Sequence, residues 1–217
     1  IFSIILSLAV ALTMMPMSAI ADNEKSTVEN AVAEVTINGS TTQYATLADA
    51  IKAANGADIT LLRSFGENVV VTDPSIRAGI ILGNGTTDQS NWTQKDSGVP
   101  LTMKAGEITL KNGGLAQNNA GADAHAAIQL EGGTLTVEKT VTKIIGSSTT
   151  DDDDSQMAAI EATGGVLNLQ GNTLLDGGLT MTGDAQLKNK LKAGIFTNSG
   201  YDTFSVNVIN STHYKTV

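Results

Sequence analysis

The chain has 217 residues, of which 13 are basic and 22 acidic, for a formal charge of -9; it holds 22 Gly, 3 Pro, no Cys and 4% aromatic residues. Zero Cys excludes a disulfide scaffold, a thiolate zinc site and a cysteine nucleophile, and the acidic balance argues against nucleic acid, whose binders carry a basic face. A hydrophobic content of 41% is too high for a disordered chain, and the length suits one domain with at most a small appendage.

The first element is an address. Residues 1–17 (IFSIILSLAVALTMMPM) are apolar and uncharged, and Ser18-Ala19-Ile20-Ala21 and then Asp22 follow. Ala19 and Ala21 have the small-x-small spacing that a signal peptidase accepts, and Pro16 ends the apolar helix just ahead of it. Residues 1–21 are therefore expected to be a signal peptide, N-terminally truncated because the chain opens on Ile, with cleavage before Asp22. The protein is expected to be exported, extracellular or on the cell surface, and to meet a membrane only through this segment before cleavage. The competing reading is an uncleaved anchor, since a span needs ~20 apolar residues. Residues 22–33 (DNEKSTVENAVA) are polar and aperiodic and read as a flexible leader.

From residue 34 the pattern changes. EVTING, 34–39, alternates and ends in a turn dipeptide, which reads as a strand. TLADAIKAANG, 46–56, reads as a helix. Thr46 is its N-cap and Asp49 takes the capping-box position. Leu47, Ala50, Ile51 and Ala54 form one apolar face, and Gly56 takes the left-handed conformation that stops the helix. Residues 34–56 are expected to cap the domain that runs to residue 217.

Beyond the helix the chain repeats itself. AAIQLEGGTLTVEKTVTKIIG (126–146) aligns without a gap on AAIEATGGVLNLQGNTLLDGG (158–178), an offset of 32 residues. PLTMKAGEITL (100–110) fits the same frame 27 residues earlier, and LTMTGDAQL (179–187) fits more loosely 19 residues later. Each copy holds three short alternating strands, too short for helices and with too few inward positions to be buried alone. Stacked turn upon turn they make a continuous core. The expected fold is all-β, a parallel β-solenoid of about five three-strand turns by this stacking, with the short helix as its N-terminal cap against edge pairing. ITLL, NVVV and GIIL (59–82) are expected as the first turn; LTM, EITL and a strand near Leu115 as the second; the two matched copies as the third and fourth. LTM, AQL and GIF (179–196) make the fifth, and TFSVNVI (203–209) ends the stack. An antiparallel sandwich of short strands is the alternative.

Three polar insertions, 83–98, 112–125 and 146–156, each precede the first strand of a turn, so the coil is expected to bring them to one corner. Insertions on one face of a repeat protein often form its binding face. The ligand-binding candidates there are Trp92, Asn91, Asn118 and Asn119, beside Asp88 and Asp96. Trp92, the only Trp, either stacks on a sugar ring or folds back onto the solenoid. Asp151, Asp152, Asp153 and Asp154 are the metal candidates, for Ca²⁺, which takes several oxygen ligands. Their run lacks the alternating spacing of a calcium loop, and a solvated acidic loop is the plainer reading. His125 beside Asp123 is the candidate acid-base pair, set against a surface histidine without a task. The pairs Gly132-Gly133 and Gly164-Gly165 lie between strands rather than before a helix, so they serve turns and not phosphates.

YATLADAIKAANGADITLLRS, 44–64, together with the GGTLTV-type turns, resembles the N-terminal cap and coils of right-handed β-helix domains of the pectin-lyase-like type, found in secreted and wall-attached proteins of Gram-positive, often gut-associated bacteria. The resemblance spans residues 35–196 in outline. It implies a right-handed coil and two functions, adhesin stalks or polysaccharide lyases and hydrolases. The hydrolases of that family carry separated Asp pairs, a His and an Arg-x-Lys on adjacent turns; here Arg63 and Arg77 are the only arginines and both fall near the first turn. Wall-attached members end in a sorting signal, and STHYKTV (211–217) carries none, so a fragment or another mode of attachment is expected. The first expectation is therefore a non-enzymatic adhesin making glycan or host-matrix contact through the stacked loops. A carbohydrate-active enzyme using Asp123 and His125, with Ca²⁺ as its only candidate cofactor, and a passive spacer are the alternatives.

Overall fold

The computed structural model describes residues 28–83, 92–94, 97–118, 124–147, 157–171 and 173–189, and the backbone of 206–209. The chain starts with β1 (Ala33–Ile37), β2 (Ser40–Tyr44), α1 (Leu47–Ala54) and β3 (Asp58–Leu61). Then come β4 (Val69–Val71), β5 (Arg77–Ile81), β6 (Trp92–Gln94), β7 (Leu101–Met103), β8 (Glu107–Lys111) and β9 (Gly113–Gln117). The repeats supply β10 (Ile128–Leu130), β11 (Thr134–Val137), β12 (Val141–Ile145), β13 (Ile160–Ala162), β14 (Val166–Leu169) and β15 (Leu174–Asp176). The last strands are β16 (Leu179–Thr182), β17 (Gln186–Asn189) and β18 (Val206–Ile209).

The strands form three sheets, of order β17-β14-β11-β8-β5-β3-β1-β2, β18-β16-β13-β10-β7-β4 and β15-β12-β9-β6. From β4 to β17 successive strands go to the six-stranded, the eight-stranded and the four-stranded sheet in rotation. Every pairing is parallel except those of β1 with β2 and with β3. The offsets legible in the sequence are the registers of these ladders. Ile128 pairs with Ile160 and Thr134 with Val166, 32 apart; Leu101 pairs with Ile128, 27 apart; Ile160 pairs with Leu179, 19 apart. In the eight-stranded sheet the last step is 20, Val166 to Gln186, so the turn between β16 and β17 is one residue longer than its neighbour. That extra residue is why the final copy aligns loosely.

Strands such as β3, β8, β10, β11, β13 and β14 alternate, and the inward positions stack by kind. Leu101, Ile128, Ile160 and Leu179 lie in one row, and Ile108, Leu135, Leu167 and Leu187 in another, all buried. A slip of one residue would turn a whole row to solvent, which pins the register. The glycine pairs make the corner between the six- and eight-stranded sheets. Gly133 and Gly165 have φ of +74° and +72°. Thr134 N–H donates to Gly106 O, Val166 N–H to Gly133 O and Gln186 N–H to Gly165 O, all at 2.9 Å. The backbones of successive turns touch at this corner.

The cap follows its sequence closely. Leu47, Ala50, Ile51 and Ala54 are buried and face β1, β3, β4 and β5. The free N–H groups of the first turn are all met: Leu47 and Ala48 donate to the Glu67 carboxylate at 2.8 and 3.0 Å, Asp49 donates to Thr46 Oγ1 at 3.2 Å, and Ala50 donates to Thr46 O at 3.3 Å. The Thr46 hydroxyl donates in turn to Asp49 Oδ2 at 2.8 Å; that bond and Lys52 hold the Asp49 carboxyl below its ordinary range. The helix ends on two left-handed residues, Asn55 with φ +46° and Gly56 with φ +90°, rather than on the glycine alone. Val32 and Ala33, at the end of the expected leader, are already buried.

Two expectations need correction. ITLL is not the first strand of the first turn. β3 belongs to the cap side of the eight-stranded sheet, between β1 and β5, and the first turn is β4, β5 and β6. Alternation tells which side of a strand faces inward but not which sheet receives it, so it leaves the phase of the first turn open by one strand. Nor are 83–98 and 112–125 wholly insertions, because each contains a strand of the four-stranded sheet, β6 and β9. Their inward residues include Gln94, Gln117 and Gly113, which hide the apolar period. The expected strand GIF lies outside the described residues. The closing strand TFSVNVI is present in part, as β18 pairs in parallel with β16.

On the outer face of the eight-stranded sheet Lys111 reaches across β5 to Asp58, Nζ to Oδ1 2.8 Å, and lies 3.8 Å from Glu138. It passes over Gly79, where a side chain would collide with both partners. The Asp58 hydrogen bond is the main cause that raises the lysine above its ordinary range, with burial opposing it.

Candidate functional site

Four connections lead from the four-stranded to the six-stranded sheet: 95–100, 118–127, 146–159 and 177–178. Because the rotation of strands repeats, they follow one another up the same corner, and three of the four are longer than a tight turn. Their described parts are tied to the neighbouring turns. Asn118 N–H donates to Gln94 O at 2.8 Å, Ser147 N–H to His125 O at 3.1 Å and Met157 N–H to Ser147 O at 2.7 Å. The buried Ser147 hydroxyl accepts from His125 N–H at 2.5 Å and donates to His125 O at 2.9 Å. One serine thereby clamps the main chain of His125 from both sides, while the imidazole is half-buried at the corner.

Under the corner lies a second set of ties that sequence reasoning missed. Gln94 and Gln117 are in register on β6 and β9 and are 4% and 1% exposed. The Gln117 amide donates to Gly98 O, and the Gln94 amide donates to Asn68 Oδ1. Asn68 Nδ2 donates to Ser97 O at 3.0 Å. Buried amides must find partners, and here they find the connection 97–98 and hold it down. The signal was present in the sequence as a glutamine recurring at the same strand position, but a polar residue at an inward position reads as loop.

Of the residues expected at this corner, two are described, Asn118, which is exposed, and His125, both on the connection 118–127. Trp92 is not there. It opens β6, is fully buried, stacks on Phe65 with ring centroids 6.0 Å apart, and donates its indole N–H to Glu67 O at 3.0 Å. Of its two readings, the one in which the ring folds back onto the body of the protein is the one observed, and the ring is closed to a sugar. Asp88, Asn91, Asp96, Asn119, Asp123 and the run Asp151, Asp152, Asp153, Asp154 lie outside the described residues, as do Ala19, Ala21 and Asp22 of the signal segment.

Chemically the described corner offers hydrogen-bonding groups: the Asn118 amide, the His125 imidazole and the polar backbone of Ser97 and Gly98. Among the described residues no three His, Asp or Glu side chains converge on a point where a metal would sit. Among the described residues, the ion pairs of Lys111 with Asp58 and Glu138, Arg77 with Glu107, and Lys104 with Glu131 belong to strands or corners of the other two sheets, and that of Lys52 with Asp49 to α1. No family model matches the chain, and no curated protein or solved structure matches it.

Proposed function

We propose that this chain is a right-handed parallel β-solenoid of about five turns by the stacking of its repeats, exported through residues 1–21 to the surface or surroundings of a bacterial cell, where polar loops at one corner make adhesive or glycan contacts. The observation that supports this reading is the concentration of long connections, 95–100, 118–127 and 146–159, at a single corner, held up by buried tethers at Gln117 and Ser147. A scaffold that gains nothing from its loops has no reason to fasten them with buried polar side chains, which cost stability unless every bond is made.

The test is a glycan-array and host-matrix screen with residues 22–217, repeated with a variant in which 118–127 is cut to the two-glycine connection found at 177–178. Binding by the full chain that the shortened variant loses supports the reading. Absence of binding above a scrambled-loop control makes the molecule a spacer. Depolymerisation of an array glycan, abolished by Asp123→Asn and by His125→Ala, makes it a polysaccharide lyase or hydrolase instead.

A further inference from the structure

The cap helix is held in an unusual way for so short an element. Eight residues are too few for a helix to persist by itself, so α1 exists through its contacts. One set is apolar, the face of Leu47, Ala50, Ile51 and Ala54. The other is a single side chain 20 residues away, Glu67, whose two carboxylate oxygens each take one of the first two helix N–H groups. Such charge-assisted bonds at a helix N-terminus are the strong kind. The same residue's carbonyl receives the Trp92 indole N–H, so the latch sits on backbone fixed by the core of the first turn. Beneath α1 runs β4, the outermost strand of the six-stranded sheet. Between them a groove of about 170 Å³ is lined by Ala48, Ile51, Val69, Val70 and Val71, and Val70 is 56% exposed. The seam between cap and stack is already partly open.

We propose that Glu67 is a latch: its carboxylate keeps α1 folded against the stack, and losing it lets the cap helix open by itself while the later turns stay closed. The two parts are separately held: the strands from β7 onward are joined turn to turn in their own parallel ladders, whereas α1 packs chiefly on β1, β2, β3, β4 and β5.

Amide hydrogen exchange of the full chain tests this residue by residue, in the native protein, Glu67→Gln and Glu67→Ala. Loss of the latch is expected to speed exchange across 47–54 roughly 5- to 30-fold, the equivalent of losing one helix cap. Exchange across 101–137 is expected to be unchanged. Glu67→Gln keeps one acceptor oxygen and falls between the other two. Trp92 emission, which reports the Glu67 backbone, stays as in the native protein. Faster exchange confined to Leu47 and Ala48 reduces Glu67 to an ordinary cap and overturns the proposal. So does a parallel rise across 101–137, because the cap and the stack then open as one unit.

Discussion

Three glycine substitutions separate two reasons for having glycine at all. Gly39, in the β1–β2 turn, has φ +82° and open space where a Cβ would stand. Gly164 carries no positive φ, but a Cβ there would run into the Glu131 carbonyl of the turn below. Gly165 has both, with φ +72° and a Cβ placed 2.7 Å from Gly133 O and 2.8 Å from Gly132 C. A left-handed alanine costs about 1–2 kcal/mol, offset in part by the entropy that alanine removes from the unfolded chain, about 0.4–1 kcal/mol. Gly39→Ala should therefore cost about 1 kcal/mol. Forcing a methyl against backbone that cannot swing aside costs about 1–3 kcal/mol more. Gly165→Ala should then lose about 2–4 kcal/mol, and Gly164→Ala should fall between the two. At roughly 2–4 °C per kcal/mol for a chain of this size, the melting temperature of Gly165→Ala should lie roughly 4–16 °C below that of the native protein. Urea unfolding followed by far-ultraviolet circular dichroism gives the three costs on one scale. Equal costs for Gly39→Ala and Gly165→Ala would refute the stacking explanation, leaving backbone conformation as the sole reason for the pair. A neutral Gly164→Ala would remove the close approach of successive turns on which the whole coil depends.

Other outcomes follow from single side chains. Trp92 should emit as a buried indole, resist acrylamide quenching and keep its spectrum when glycans are added; quenching like that of free tryptophan would return it to the list of ligand contacts. Lys111→Met should cost no more than about 1 kcal/mol, because the partners are partly exposed. Its pH dependence is the sharper readout. The folded pKa is raised above the ordinary 10.5, so the contribution is complete below that value and is lost as pH rises through the raised one. The urea midpoint of the native protein should therefore drop more between pH 9 and roughly pH 12 than that of Lys111→Met, and identical drops would count against the ion pair. Millimolar Ca²⁺ followed by EDTA should leave the melting curve unmoved if Asp151 to Asp154 is a solvated loop, whereas a rise reversed by EDTA would mean that the folded state binds the ion by mass action.

How far the sequence could be read depended on what each feature needed. The helix face, its N-cap and the register of the matched copies were all legible, because each is a local pattern with one physical solution. Leu47, Ala50, Ile51 and Ala54 form the one apolar face of the helix, and the gapless offset of 32 is the register of the parallel ladders. The latch was not legible. Glu67 lies twenty residues beyond Leu47, whose N–H it accepts, and nothing in GENVV distinguishes it from any surface glutamate. Long-range side-chain to backbone bonds leave no period in a sequence.

The four-stranded sheet failed for a different reason, and that reason bears on function. β6 and β9 spend inward positions on Gln94 and Gln117, where β10, β13 and β16 use Ile128, Leu130, Ile160, Leu179 and Met181. An inward glutamine gives up apolar burial of about 1.5–3 kcal/mol per side chain and recovers it only if its amide is fully bonded. Both glutamines bond to groups that steer the connection at 97–98, Gln117 directly and Gln94 through Asn68. The two turns nearest the cap thus give this position to loop control, while the apolar row of the same sheet, Trp92, Leu115, Ile144 and Leu175, runs unbroken two residues away along the strands. If the corner has work to do, its shape is set most firmly at the lower end, around Ser97, Gly98 and Asn118. Gln117→Leu should show this: it puts an apolar side chain beside Gln94, leaves Gly98 O without its amide, and frees the connection. Such a variant should keep its melting temperature within a few degrees, since lost bond and gained burial are of similar size, yet lose any ligand that the native corner binds. A variant that binds unchanged would place the contact higher up the corner, at the connections that hold His125 and Ser147.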